Sequence, residues 1–486
     1  MNTAIVVGSG PNGLAAAITL ARAGLEVTVL EAADEIGGGT RTSEAIVPGL
    51  LHDHCSAIHP MAVGSPFLRG LELERYGLSW AWPEVDCAHP LDDGTAGVLL
   101  RSVAATAAGL GGDGRAWRLL FERTTAGYDR MSADIMRPLL RLPRHPLRLA
   151  RFGIPALAPA TLVARLLRTE QARALFGGVA AHAFHPLHRP LSASIGLGIL
   201  TAGHAYGWAV AAGGSQRITD AMAAYLGDLG GKIETGVRVR SVSDLPPADL
   251  TMWDLAPTAI AEILGDRLPP RIARAYRSFR YGPGAFKVDF AVHDGVPWTA
   301  EPARRAGTVH LGGTFAEIAA TERDIHRGRM PERPFVLVGQ QYLADPRRSA
   351  GDIHPIWAYA HVPHDYRGDA TAAVTAQIER FAPGFRDRVV GAGVRSATGF
   401  ADYNPNYVGG NIMTGAKDIP QLVFGPRKTL QPYDVGVPGH YICSAATPPG
   451  PGAHGMCGAN AARRALRRAG LGESSPFGRH GSSGLR

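Results

Sequence analysis

Near its start the chain carries Gly8-Ser9-Gly10-Pro11-Asn12-Gly13, three glycines at a spacing that suits a bound phosphate. Gly8 permits a tight turn, Gly10 lets the backbone approach a pyrophosphate, and Gly13 lets a helix pack closely on a strand. The free N–H groups and dipole of a helix N-terminus favour the phosphate charge. Glu31, followed by Ala32, closes the next apolar run, where a carboxylate can accept the hydroxyls of a ribose. The same carboxylate repels a 2′-phosphate, which disfavours NADP at this site and leaves NAD and FAD. Two further clusters could do chemistry: Gly37-Gly38-Gly39-Thr40-Arg41-Thr42, and the Gly/Pro-rich turn from Ser444 to Met456 that contains Gly450, His454 and Gly455. His52, His54 and His59 follow the second glycine cluster. Imidazole titrates near neutrality, so His59 and His454 are candidate acids or bases, against the competing reading of hydrogen-bonded structural groups. His52-x-His54 has no identifiable third ligand, so no metal site is expected.

These residues need elements to hold them. Ala4–Val7 reads as a buried strand, Leu14–Ala23 as an Ala-rich helix ended by Gly24, and Glu26–Leu30 as a second strand, a βαβ opening. Further strands are predicted at Lys232–Val242, Ala285–Val292, Pro334–Gly339, Ile356–Val362 and Tyr441–Ser444. Helices are predicted at Ser215–Leu226, Ala370–Phe381 and His454–Leu466. The run from Pro190 to Gln216 has no charged residue, yet its Gly203, His204 and Gly207 make it a buried helix and glycine turn rather than a membrane span.

The length of 486 residues, with 45% hydrophobic composition, excludes a disordered chain and predicts two or three domains. The formal charge of +8 comes almost wholly from arginine, since lysine stands only at 232, 287, 417 and 428. The excess is spread along the chain, so no nucleic-acid partner is expected. Four cysteines without a CxxC pair argue against a disulfide framework and for a reducing, cytoplasmic compartment. Between Asp134 and Glu170 there is no acidic residue, while arginines recur among leucines and prolines. Residues 137–168 read as short basic helices, either a solvated face over a packed domain or a peripheral membrane patch.

The second glycine cluster resembles the Gly-Gly-x-x-Arg-Thr motif of FAD-dependent oxidases and desaturases, with the pair at Gly37 and Gly38 and the later residues at Arg41 and Thr42. Gly39 stands where many members carry arginine, so one contact often made to the cofactor is missing. With Asn404-Pro405-Asn406-Tyr407-Val408-Gly409-Gly410 and the C-terminal turn, the chain resembles the phytoene-dehydrogenase-like FAD oxidoreductases from roughly Thr3 to Gly470. That group includes carotenoid desaturases and isomerases, and relatives labelled pyridine nucleotide-disulfide oxidoreductase domain proteins.

The resemblance implies an α/β fold with a discontinuous Rossmann-type FAD-binding domain of the glutathione-reductase type and a mixed α+β substrate domain. The first would comprise residues 1–75, 200–270 and 425–470, the second 76–199 and 271–424, with a disordered tail at 471–486. It implies adenine contact by the Val237 backbone and N–H donors from Gly455 and Met456 near the flavin. Gly8, Ser9, Gly10, Pro11, Asn12, Gly13, Glu31, Ala32, Gly38, Gly39, Thr40, Arg41, Gly450 and His454 complete the expected cofactor site. The expected activity is a desaturase or dehydrogenase that takes hydride from a C–H bond of a hydrophobic, polyene- or isoprenoid-like molecule, with oxygen or a quinone as candidate electron acceptors. A flavin-dependent isomerase, an amine oxidase-like enzyme and a non-catalytic flavin-binding protein remain the alternatives.

Overall fold

The computed structural model describes residues 1–471. Most of the tail for which disorder was expected, residues 472–486, lies outside the described residues. Leu471 itself packs against the core that holds Leu14, Ile18 and Leu466, with its N–H donating to the Leu466 carbonyl.

Two sheets organise the chain. The first is wholly parallel and five-stranded, in the order His440–Ile442, Leu250–Trp253, Thr3–Val7, Glu26–Leu30, Lys232–Glu234. Its strands come from three separate stretches, so this sheet is discontinuous in sequence. From the central strand Thr3–Val7 the neighbours depart in opposite directions, which opens a crevice at its C-terminal end, the usual place for a ligand in such a sheet. The helix Pro11–Arg22 starts there, with Gly10 extended and Pro11 at its first turn. The C-terminal helix Met456–Arg468 crosses it closely: a Cβ added to Gly458 would lie 1.8 Å from the Asn12 carbonyl oxygen.

The second sheet has seven strands, in the order Val389–Arg395, Gly284–His293, Ile353–Val362, Val336–Gly339, Ala306–Leu311, Val85–Pro90, Ala96–Leu99. All neighbours are antiparallel except Ala306–Leu311 with Val85–Pro90. Strand alternation sends successive side chains to opposite faces. Phe286, Val288, Phe290 and Val292 pack on one face with the Thr371–Phe381 helix. Leu337, Trp357 and Tyr359 point to the other face, toward a helical layer that includes Glu170–Ala181 and Ser192–Tyr206. Those two helices touch where a Cβ on Gly196 would lie 2.9 Å from the Ala180 Cα. The uncharged run is thus a buried helix, ended by Gly207 at φ +75°, and it continues unbroken through residue 200.

One expected strand is shorter than its pattern. Lys232–Val242 alternates throughout, yet pairing stops at Glu234 and Gly236 turns the chain at φ +71°. Sequence alternation records sidedness, not pairing, and here the segment beyond the turn runs along the crevice instead of the sheet.

Candidate active site

The crevice is built by backbone contacts that leave no room for side chains. A Cβ on Gly13 would stand 2.0 Å from the Gly8 carbonyl oxygen, and one on Gly38 would stand 3.2 Å from the Gly10 Cα. The first two glycine clusters therefore meet. Ser9 links them to the acid: its N–H and hydroxyl donate to Glu31 Oε2 at 2.9 and 2.6 Å. Glu31 Oε1 accepts from the Ala33 N–H at 2.9 Å and faces Arg41 at 3.4 Å. Arg41 also donates to the Glu35 and Ile36 carbonyls, so it braces the loop. The Val237 N–H donates to the Glu31 carbonyl at 2.8 Å, which keeps Val237 at the crevice edge despite the lost strand.

Asp254 belongs to the same crevice, although its neighbours in the chain carry no motif that would single it out. It follows the Leu250–Trp253 strand, and its Oδ2 accepts the Gly13 N–H at 2.9 Å. Burial, reinforced by the Glu31 charge and opposed by that hydrogen bond, pushes its carboxyl up to about 7. One donor of the helix N-terminus is therefore already engaged.

A single cavity of about 900 Å³ continues from this crevice, near the upper end of ordinary ligand sites, which run to roughly 1,000 Å³. At the crevice it is lined by Gly8, Gly10, Pro11, Asn12, Glu31 and Ala32. Gly38, Gly39, Thr40, Arg41 and Val237 continue that wall. Farther in come His59, His182, Trp208, Leu337, Trp357 and Tyr359. The far end is apolar: Leu149, Phe152, Ala156, Ile195 and Ile199.

The histidines are placed differently. His59 Nε2 lies 2.8 Å from the Ser215 hydroxyl, and burial lowers the ring to about 4. Asp53 fixes that corner by accepting from Thr42, the Ser215 N–H and the fully buried Arg348. Burial raises the Asp53 carboxyl, but Arg348 and these hydrogen bonds outweigh it and hold it below its usual range. His454 lines the cavity, is lowered by burial to about 4, and accepts the Met456 N–H on Nδ1 at 3.1 Å. That bond engages the donor expected from Met456. Gly455 packs instead against Phe67 and Ala15, while Pro449, Pro451, Gly452 and Ala453 form the cavity wall beside His454. The Gly450 carbonyl accepts from the Cys457 thiol. His52 faces Asp289 at 3.3 Å and His54 bonds the Ser43 hydroxyl at 2.7 Å, so the pair diverges. Among the described residues one group of donor atoms is spaced for a metal, the exposed His293, Asp294 and Asp352.

Gly39 explains the missing arginine. A Cβ there would lie 2.1 Å from the Tyr407 hydroxyl, so the tyrosine occupies the room a side chain would need. Tyr403 donates to the Gly38 carbonyl at 2.5 Å from the same segment.

Two lysines were missed. Lys287 is buried against Asp289 and lies 5.9 Å from the Trp357 ring. Lys417 lines the cavity, donates to the Met413 carbonyl at 3.0 Å, and is lowered by burial to about 8. Rarity alone does not single them out, since Lys232 and Lys428 share it and are exposed.

The fit to a dinucleotide is visible in the walls. The glycine cradle would be filled by any Cβ, and the buried Asn12 Oδ1 and Ser444 hydroxyl, both at the cavity wall, have no partner. All four cysteines are buried and free.

Comparison with known proteins agrees with this architecture. A family model described as an NAD(P)-binding Rossmann-like domain matches residues 6–69. The chain is an oxidoreductase of the FAD-dependent type, related to the phytoene-dehydrogenase-like group that its glycine motifs resemble. It is 29% identical to hydroxyneurosporene desaturase of Cereibacter sphaeroides, over 68% of this chain and 73% of the relative. It is 24% identical to pyridine nucleotide-disulfide oxidoreductase domain-containing protein 2 of Mus musculus, over 96% and 93%. A triple mutant of putrescine oxidase has the same fold, with a TM-score of 0.62 at 18% identity, over 97% and 99% of the two chains.

Proposed function

We propose that the crevice holds FAD and that the enzyme dehydrogenates a hydrophobic small molecule at a C–H bond. The observation that carries this reading is the continuity of one cavity, polar and glycine-walled at the crevice and aliphatic at the far end. Gly8, Gly10, Gly38 and Asn12 would hold the pyrophosphate, and Glu31 and Val237 the adenosine. When bound, FAD supplies the hydride acceptor. The chain's own residues bind, orient and keep out water. His59 and His182 stay neutral at the wall, burial holding them at about 4 and about 3, so they offer polar contacts without charge. Lys417 supplies a cation at the wall below about pH 8. The electron acceptor in this reading is oxygen or a quinone.

The test is an absorption spectrum of the purified protein, repeated anaerobically with added substrates. Flavin bands that bleach with a polyene or isoprenoid support the reading. Failure to retain FAD after reconstitution overturns it. A second reading is favoured by the aromatic wall of Trp208, Trp357, Tyr359, Tyr403 and Tyr407, since such rings suit an amine oxidase-like site. Bleaching by primary amines, with polyenes inert, would select it.

A further inference from the structure

The turn before the C-terminal helix lacks the donors that its resemblance implies. The Met456 N–H is engaged by His454 Nδ1 at 3.1 Å, and Gly455 packs against Phe67 and Ala15. The arginine that many relatives carry after the second glycine pair is absent too, at Gly39. Lys417 stands beside this turn. The short helix that follows it, Ile419–Phe424, ends at Gly425, where a Cβ would lie 2.9 Å from the Pro448 Cδ. Cys457, the second residue of the helix Met456–Arg468, feels the charges of both Lys417 and Asp254, so the lysine reaches toward the crevice carboxyl. The Lys417 side chain lines the cavity and donates to the Met413 carbonyl at 3.0 Å. Among the described residues it has no carboxylate partner. Asp418, next in the chain, turns away: it accepts from Arg280 and caps the helix Ile419–Phe424 through the Gln421 N–H. A cation held out of water without a counter-ion is unfavourable, and an arriving anion relieves it.

We propose that Lys417 is the counter-cation of the reduced flavin, standing in for the helix donors and raising the flavin's reduction potential. This rests on the FAD reading above. A hydride brings an electron pair to the flavin and leaves its ring with one negative charge, and charge beside the ring tunes its electronics. In a site shielded from water, a fixed cation favours that anion far more than it would in bulk solvent. The oxidised ring is neutral, so the same lysine adds little to FAD binding. Burial holds the ammonium at about 8, against the Cys457 sulfur and the Asp418 carboxylate, which favour its charge. His454, on the neighbouring turn, is lowered by burial to about 4 and carries no charge near neutrality.

The experiment uses the full chain supplied with FAD and two measurements that need no substrate. Sulfite is the first probe, because it adds to an oxidised flavin and leaves the ring anionic. The second is the midpoint potential, read against redox dyes. Lys417→Met should bind sulfite at least tenfold more weakly than the native chain. Its two-electron potential should fall correspondingly, by about 30 mV for each tenfold. Lys417→Arg should keep both near the native values. Native sulfite affinity should weaken as pH rises through about 8, where the ammonium loses its proton, and Lys417→Met should lose that dependence. FAD affinity, read by fluorescence titration, should change less than threefold in either variant. Native-like sulfite binding and potential in Lys417→Met overturn the proposal. So does a tenfold loss of FAD affinity in that variant, which would move the lysine to the pyrophosphate. So does Lys417→Arg behaving as Lys417→Met does, which would make the role one of packing. A native sulfite affinity that stays flat through about pH 8 overturns it without any variant. No flavin retained by the native chain overturns the FAD reading and this proposal together, whereas flavin retained with an unchanged potential in Lys417→Met overturns this proposal alone.

Discussion

Asp254 places a titrating carboxyl against the glycine cradle, within 3.0 Å of where a Gly10 Cβ would stand. Its value of about 7 means that it is largely protonated below neutrality and anionic above. An anion there opposes the phosphates by Coulomb repulsion. Affinity for FAD should therefore fall as pH rises through about 7, and Asp254→Asn should flatten that fall, as read by flavin fluorescence titration between pH 6 and 9. Glu31 makes a second case. Its two oxygens already accept from Ser9 and Ala33, so Glu31→Gln would leave donors facing an amide. We expect FAD affinity to drop by roughly tenfold or more, in line with about 1–3 kcal/mol for a broken charged hydrogen-bond set. Gly39 and Tyr407 make a third. Gly39→Arg alone should lower flavin retention and cost about 1–3 kcal/mol through overpacking, whereas adding Tyr407→Ala should restore both, as measured by thermal melting and bound-flavin absorbance.

At the level of elements, the opening and closing helices depend on one missing side chain. Gly458→Ala would drive a methyl into the Asn12 carbonyl, and a loss of about 1–3 kcal/mol is expected, visible as a lower Tm with weaker flavin binding. The sequence disclosed the helices and strands themselves well where periodicity and glycine agreed: Pro11–Arg22 against the expected Leu14–Ala23, and Ile353–Val362 against Ile356–Val362. It did not disclose what pairs with what. The parallel meeting of Val85–Pro90 with Ala306–Leu311 joins stretches that share no local signal, and register is set by tertiary packing. The Gly8 and Gly37 clusters were legible because phosphate binding needs bare backbone. Asp254, and the part Tyr407 plays over Gly39, were not, because each acts on a neighbour brought to it only by the fold; Lys417 was not, because only the fold places it at the cavity wall.

Across the molecule, burial keeps many histidines neutral, and that sets an acid limit. His59 and His454 are held near 4 by burial, below the 6.5 of an exposed ring. Between those values the unfolded chain takes up protons that the native protein refuses, so stability falls as pH drops from 6.5 toward 4 and levels below. Each ring contributes up to about 3 kcal/mol to that loss. Thermal melts across pH 4–7 should show the decline, and His59→Gln should shrink it. The two halves of the molecule also meet where the Tyr407 hydroxyl fills the space over Gly39, from a segment remote in the chain. That contact imposes an order on descent. A lineage that acquires a side chain at position 39 while the phenol remains at 407 must pass through a jammed cleft. One that first trims position 407 passes through an open one. Among relatives, the two positions should vary together, with bulk at one accompanied by its absence at the other.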